Sequence, residues 1–166
     1  MTLGQFTEPK LLIPQLECAT KETALAELSK RLTGAGRVDN ADVFLSAVLE
    51  HDALAPAVFE RVAVALARGQ QVKVLSFALG LSSHGIRWNV VGAPVVSAVF
   101  LFAVPQSAGE LYLSLVLTLS GFISDTAAFS TLRRCREPEE MLDVLNAVRI
   151  TRHPAHASGA DGAPAG

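Results

Sequence analysis

The sequence predicts a layered α/β domain with a mostly buried sheet. Segments with apolar residues at helical spacing alternate with short, nearly continuous apolar runs, and such runs are what strands covered on both faces look like. The length of 166 residues suits one domain with a real core. Half of the residues are hydrophobic and only 18% are charged.

Each element has its own signal. "LLIPQLE" (11–17) reads as a short strand, and its internal Pro14 places it at a sheet edge, because proline cannot donate to a ladder. "ATKETALAELSKRLTGAG" (19–36) reads as a helix capped by Thr20, with Glu22 in its first turn and Leu25, Leu28 and Leu32 on one face. Gly34 and Gly36 end it. That "GAG" follows a helix and lacks a third glycine, so it is a helix stop and not a nucleotide loop. A second helix covers 39–51, capped by Asn40, with Val43, Phe44, Ala47 and Val48 on its apolar face.

Residues 55–69 support two readings. A short strand over about 62–66 comes first. The alternative is an amphipathic helix carrying Val58 or Phe59, Val62 and Leu66 on one face. "QVKVLSFALG" (71–80) reads as a buried strand bounded by Gly69 and Gly80, and 85–94 as a Gly/Pro-punctuated connection. "VVSAVFLFAV" (95–104) is the strongest strand signal, β-branched and aromatic, closed by Pro105. The helix expected over 108–124 is apolar almost all round, which predicts burial on more than one side. Two short helices follow, one over 125–135 capped by Asp125 and one over 137–148 with Pro138 in its first turn. The domain is expected to span 1–150. The Ala/Gly/Pro-rich tail 151–166 has too little to bury and is expected to be disordered.

Composition excludes several classes. The net charge is −2, and the densest basic group (Arg133, Arg134, Arg136) is cancelled by Glu137, Glu139 and Glu140 and reads as a solvated helix junction. Nucleic acid is not an expected partner. The longest apolar runs, 93–105 and 111–123, fall short of the roughly 20 residues that span a bilayer, so the chain is not expected to cross a membrane. The mean hydropathy of +0.36 still points to a sticky surface or a membrane-protein partner. Cys18 and Cys135 form no CxxC, and no basic stretch followed by an apolar run opens the chain. Both features point to the cytoplasm.

The order of elements carries a resemblance. "TKETALAELSKRL", "DNADVFLSAVLEHD", "SSHGIRWNVVGAPVVSAVFLFAVP" and "GELYLSLVLTLSGFISDTAAFSTLRRCREPEEMLDVL" together look like the enzyme IIA domain of the mannitol/fructose class of the bacterial phosphotransferase system, nitrogen-regulatory branch included. The resemblance covers about residues 8–148, and "GIRWNVVGAPVVSAVFLFAVP" is its most specific piece. It implies a mixed central sheet flanked by helices on both faces. It also implies a histidine in a G-[IV]-A-[IV]-P-H-[AG]-R motif that accepts a phosphoryl group from a small histidine-containing carrier and passes it on. A second histidine on the helix after the main strand supports the first. An imidazole suits this role because its nitrogen is nucleophilic near neutral pH.

"RVAVALAR" (61–68) aligns to that motif without a gap. Arg61 stands at the glycine, Ala65 at the proline and Leu66 at the phosphorylated histidine, while Ala67 and Arg68 match. Tyr112 falls about where the supporting histidine belongs. The resemblance therefore implies a non-catalytic relative that works by binding, with Phe59, Leu66, Arg68, His84 and Tyr112 marking the vestigial active face. The expected partner is a protein: a transporter, a kinase or a second copy of the chain. Val58 and Phe59 are expected to extend the apolar patch around Leu66.

The remaining candidates each have a plainer reading. His84 is the one histidine placed to serve as a relocated phosphoryl acceptor, and otherwise reads as a solvated turn residue. Arg68 is a candidate for holding a small anion through its planar fork, and otherwise a surface arginine. His51 ends a helix, where a cation suits the dipole. His153 and His156 form H-x-x-H in the tail with no third ligand beside them, so neither a metal nor a cofactor is expected.

Overall fold

The computed structural model describes residues 1–88 and 95–152. The expected disordered tail lies outside the described residues from 153 onward, as do His153, His156 and the 89–94 part of the expected connection.

Among the described residues, five strands form one mixed sheet. They are β1 (Leu12–Ile13), β2 (Val58–Phe59), β3 (Val62–Arg68), β4 (Ser76–Ile86) and β5 (Val96–Val104). The spatial order is β1-β4-β5-β3-β2. β1 runs parallel to β4 and β3 parallel to β5, while the β4–β5 and β2–β3 pairs are antiparallel. Five α-helices cover the sheet: α1 (Lys21–Gly34), α2 (Ala41–Leu54), α3 (Gly109–Ser124), α4 (Thr126–Arg133) and α5 (Pro138–Asn146).

Each face of the sheet holds its own core, because successive strand residues point to opposite sides. Val62 and Val64 of β3, Phe77 and Leu79 of β4, and Phe100 and Phe102 of β5 pack with Leu115, Leu119, Phe122, Phe129, Leu132, Met141 and Leu145 of α3–α5. On the other face Ala63, Ala65 and Ala67, Ala78, and Val99 and Leu101 meet Leu25, Leu28 and Leu32 of α1 and Phe44 and Val48 of α2. The arrangement is a mixed central sheet flanked by helices on both faces.

The helix starts follow their caps. The Thr20 hydroxyl accepts from Thr23 N–H, the Asn40 side-chain Oδ1 from Asp42 and Val43 N–H, and the Asp125 carboxylate from Ala128 N–H. At α5, Pro138 takes the first turn and the Glu140 carboxylate accepts from Arg136 and Glu137 N–H.

Several expectations need correction. For residues 55–69 the first reading holds, since the strand expected over about 62–66 is β3, and only the alternative helix is wrong, because β2 and β3 form a hairpin. Glu60 and Arg61 have φ of 49° and 69° and make a two-residue turn between β2 and β3. The strand at 71–80 is displaced, since β4 begins at Ser76 and continues to Ile86. Residues 71–75 turn instead, with Val72 N–H donating to the Gly69 carbonyl and Lys73 N–H to that of Arg37. Gly80 does not end a strand. It sits in the middle of β4, where an added Cβ would lie 2.6 Å from Leu16 Cδ2, so the glycine lets the chain after β1 cross closely.

The first strand is at the edge, as Pro14 requires, but only Leu12 and Ile13 pair. In α2, Phe44 and Val48 are buried while Val43 is 54% exposed. Helix α3 buries one side only and leaves Leu113 and Leu117 exposed. Apolar residues all round it do not mean burial all round.

Candidate functional site

Strand β3 brings the candidate position into the middle of the fold. Its residues alternate Val-Ala-Val-Ala-Leu-Ala, so the larger side chains share the α3–α5 face and the alanines face α1 and α2. Leu66 is half-buried on the α3–α5 face, directly across from Phe102 of β5. Tyr112 of α3 meets the Phe102 ring nearly edge-on, with centroids 5.5 Å apart and planes at 73°. Burial pushes the Tyr112 hydroxyl up to about 12, so at neutral pH this group is a neutral phenol. Leu66 offers no lone pair.

Arg68 ends β3. Its guanidinium donates to the Gln106 carbonyl, and its Nη atoms lie against Gly109, where an added Cβ would stand 3.1 Å from Nη2. The arginine thus ties the end of β3 to the turn that opens α3. Helix α3 has Ala108 as N-cap and no side-chain acceptor there. A cation at that end is repelled by the helix dipole, and Glu110 in the first turn offsets this.

The structure brings Leu66, Arg68 and Tyr112 together around Phe102 and Gly109. Phe59 is 41% exposed on β2 and pairs with Val62. It shares Leu66's face but sits four residues back along β3, roughly 13 Å at strand rise. Val58 pairs with Ala63, and directly paired residues point to the same side. Val58 therefore faces the α1–α2 side and does not join a patch with Leu66.

His84 is exposed at the far end of β4, within a strand and not a turn. Phe77, the β4 residue across from Phe102, is seven positions away from it, roughly 20 Å along the strand. His84 is not brought to Leu66.

Phe102, Gln106 and Gly109 complete the site and escaped sequence reasoning. Only strand register and a turn contact place them there. A second feature was also missed. Lys21 Nζ donates to Asp52 Oδ2 at 2.8 Å, both side chains being buried between the start of α1 and the last turn of α2. Among the described residues no three His, Cys, Asp or Glu side chains gather in a metal-binding group. No single helix there is long and apolar enough to cross a membrane, although α3 and α4 taken together, bent by 91°, pass that test of length and composition.

Comparison with known proteins agrees with the fold. The chain is 28% identical over 163 residues to the PTS system 2-O-alpha-mannosyl-D-glycerate-specific EIIABC component of Escherichia coli K12; this covers 96% of the chain and 25% of that relative, so the chain spans about a quarter of the relative's length. The fold is similar to that of nitrogen regulatory protein IIA-Ntr from Neisseria meningitidis, with a TM-score of 0.76, 20% identity, and coverage of 86% of this chain and 97% of that one. It is also similar to enzyme IIA-Mtl from Escherichia coli, solved in complex with phosphorylated enzyme IIB-Mtl, with a TM-score of 0.71, 18% identity, and coverage of 83% and 95%. The family model described as phosphoenolpyruvate-dependent sugar phosphotransferase system, EIIA 2, matches residues 5–148. With nearly all of its described residues inside that match, the chain belongs to the EIIA 2 family of the phosphotransferase system.

Proposed function

We propose that this chain is a non-catalytic EIIA domain that acts by binding a protein partner. The side chain at position 66 carries the reading. It is a leucine directly across from Phe102, whose ring Tyr112 meets, on the strand where the family resemblance puts the phosphorylated histidine. A phosphoryl group needs a nucleophile to receive it, and Leu66, Tyr112 and Arg68 supply none at neutral pH. An apolar side chain there, with Phe59 exposed on the same face, suits docking instead. The solved complex of enzyme IIA-Mtl with phosphorylated enzyme IIB-Mtl makes an EIIB domain the first partner to try.

A phosphocarrier using His84 has less behind it, since that histidine stands at the far end of β4. So does an anion site at Arg68, whose guanidinium already donates to Gln106.

The test has two readouts. Intact mass is measured after incubation with phosphoenolpyruvate and the upstream phosphotransferase proteins, at alkaline pH where phosphohistidine survives. The expected result is no gain, and a gain of one phosphoryl group overturns the non-catalytic reading. Calorimetric titration with a purified EIIB domain is expected to show binding that Phe59→Asp abolishes while the variant stays folded. Equal binding by the variant removes this face from the proposal, and no binding by the parent chain removes the EIIB partner.

A further inference from the structure

At the C-terminal end of α3 the surface dips into a groove of about 550 Å³ between α3, α4 and α5, within the size range of small-molecule sites. Phe122, Val144 and Val148 form its apolar walls, and Asp125 and Arg149 line it with opposite charges. Neither of the two forms an ion pair among the described residues. They face one cavity without neutralising each other. Gly121, also on the lining, stands roughly 13 Å along the helix from Tyr112, so the groove is separate from the Leu66 face.

Both charges stand on backbone that is held in place. Asp125 is the N-cap of α4: its Oδ1 accepts from Ala128 N–H, and its own N–H donates to the Gly121 and Phe122 carbonyls. Its Oδ2 takes no part in that cap. Arg149 is bridged to Thr2, and Ile150 N–H donates to the Met1 carbonyl. Thr118 Oγ1 accepts from Thr151 N–H at 2.7 Å and ties this segment to α3. Glycine is a poor choice inside a helix, yet Gly121 serves to keep the groove wide, since an added Cβ would meet nothing within 4 Å.

We propose that this groove binds a free α-amino acid with an apolar side chain. At neutral pH such a molecule carries one ammonium and one carboxylate. The ammonium answers Asp125, the carboxylate answers Arg149, and the side chain lies on Phe122, Val144 and Val148. A ligand of a single charge is attracted by one of the two lining charges and repelled by the other. A sugar or a peptide needs polar partners for its hydroxyls or its amide. The groove has few to give, because Thr118 already donates to the Ser114 carbonyl and Thr131 to that of Ala127. A single amino acid asks only for the two charges and the apolar walls.

Titration of the full chain with L-leucine, followed by amide NMR shifts, tests the proposal. The expected result is a saturable shift confined to the amides that line the groove. Two analogues with the same body and a single charge, 3-methylbutylamine and 4-methylpentanoate, are expected to bind about fivefold more weakly or worse. Arg149→Gln weakens L-leucine by about the same factor and leaves the amine unchanged. Asp125→Asn, which keeps the cap, weakens L-leucine and leaves the carboxylate analogue no weaker. Gly121→Leu abolishes binding while the thermal midpoint stays at or above that of the parent chain. No saturable shift overturns the proposal, as does a shift centred elsewhere. Single-charge analogues that match L-leucine overturn it too, and so do charge variants that bind like the parent. Tighter binding of L-leucyl-L-leucine than of L-leucine overturns the assignment to a free amino acid.

Discussion

Leu66 and Tyr112 show how much one position can decide. Both belong to a half-buried apolar cluster around Phe102, where a neutral group is favoured over a charged one. For Tyr112 this has a measurable consequence. Its hydroxyl titrates at about 12 in the folded chain because burial opposes the phenolate, against about 10 when unfolded. Between these values the folded state holds the proton that the unfolded state has lost, so stability falls as pH rises through that window. The contribution is present in full below pH 10 and is gone above 12. Denaturant midpoints of the parent chain and Tyr112→Phe are expected to agree near pH 8. By pH 12 the parent is expected to have lost up to about 2 kcal/mol more than the variant. Parallel curves would mean that the hydroxyl is solvated. That a leucine stands where the resemblance expects a histidine was legible from "RVAVALAR" alone. Its neighbours were not, because Phe102 and Gly109 reach it through sheet register and a turn.

At the scale of elements, the β2–β3 hairpin stands out for its turn. Glu60 and Arg61 both take left-handed conformations that side chains with a Cβ resist, by about 1 kcal/mol or more each. Asn-Gly is the usual solution for such a turn. The strain is partly offset, because Arg61 Nε donates to the Val95 carbonyl at 3.2 Å and the Arg61 carbonyl accepts from Ser97 N–H at 2.7 Å. The backbone bond survives mutation and the side-chain bond does not. Replacing Glu60 with Asn and Arg61 with Gly is therefore expected to raise stability by about 1 kcal/mol. Thermal unfolding should shift upward by about 2–4 °C, and a lower midpoint would show that the Arg61 brace outweighs the strain. This turn also explains why two readings of 55–69 stood open. A helix and a hairpin can share the spacing of Phe59, Val62 and Leu66, and neither Glu60 nor Arg61 announces a turn. The Val/Ala alternation after it was the better guide. Gly80 misled for the opposite reason. It looked like punctuation, yet it serves the close passage of Leu16.

Across the whole molecule, β5 is the member both layers share. All nine of its residues are buried, and from Ala98 to Val104 they alternate between the two cores. Opening either layer leaves this strand held by the other, so its amides should open only with global unfolding. Hydrogen exchange is expected to be slowest over 99–103 and much faster in the two-residue edge strands β1 and β2. Comparable protection at β2 would mean that the hairpin edge is covered in solution. The strength of the β5 signal in the sequence has the same origin, since a strand covered on both faces is apolar at every position. The Lys21–Asp52 pair left no such trace. Ionic partners 31 residues apart on separate helices meet only after both have docked on the sheet.

The alternation along β3 makes its two sides independent. Ala63, Ala65 and Ala67 answer to α1 and α2, whereas Leu66 answers to Phe102 and its neighbours. A strand with two such separate audiences can be rewritten on one side without the other taking notice. A change at position 66 is then expected to leave the layer formed by the first two helices intact.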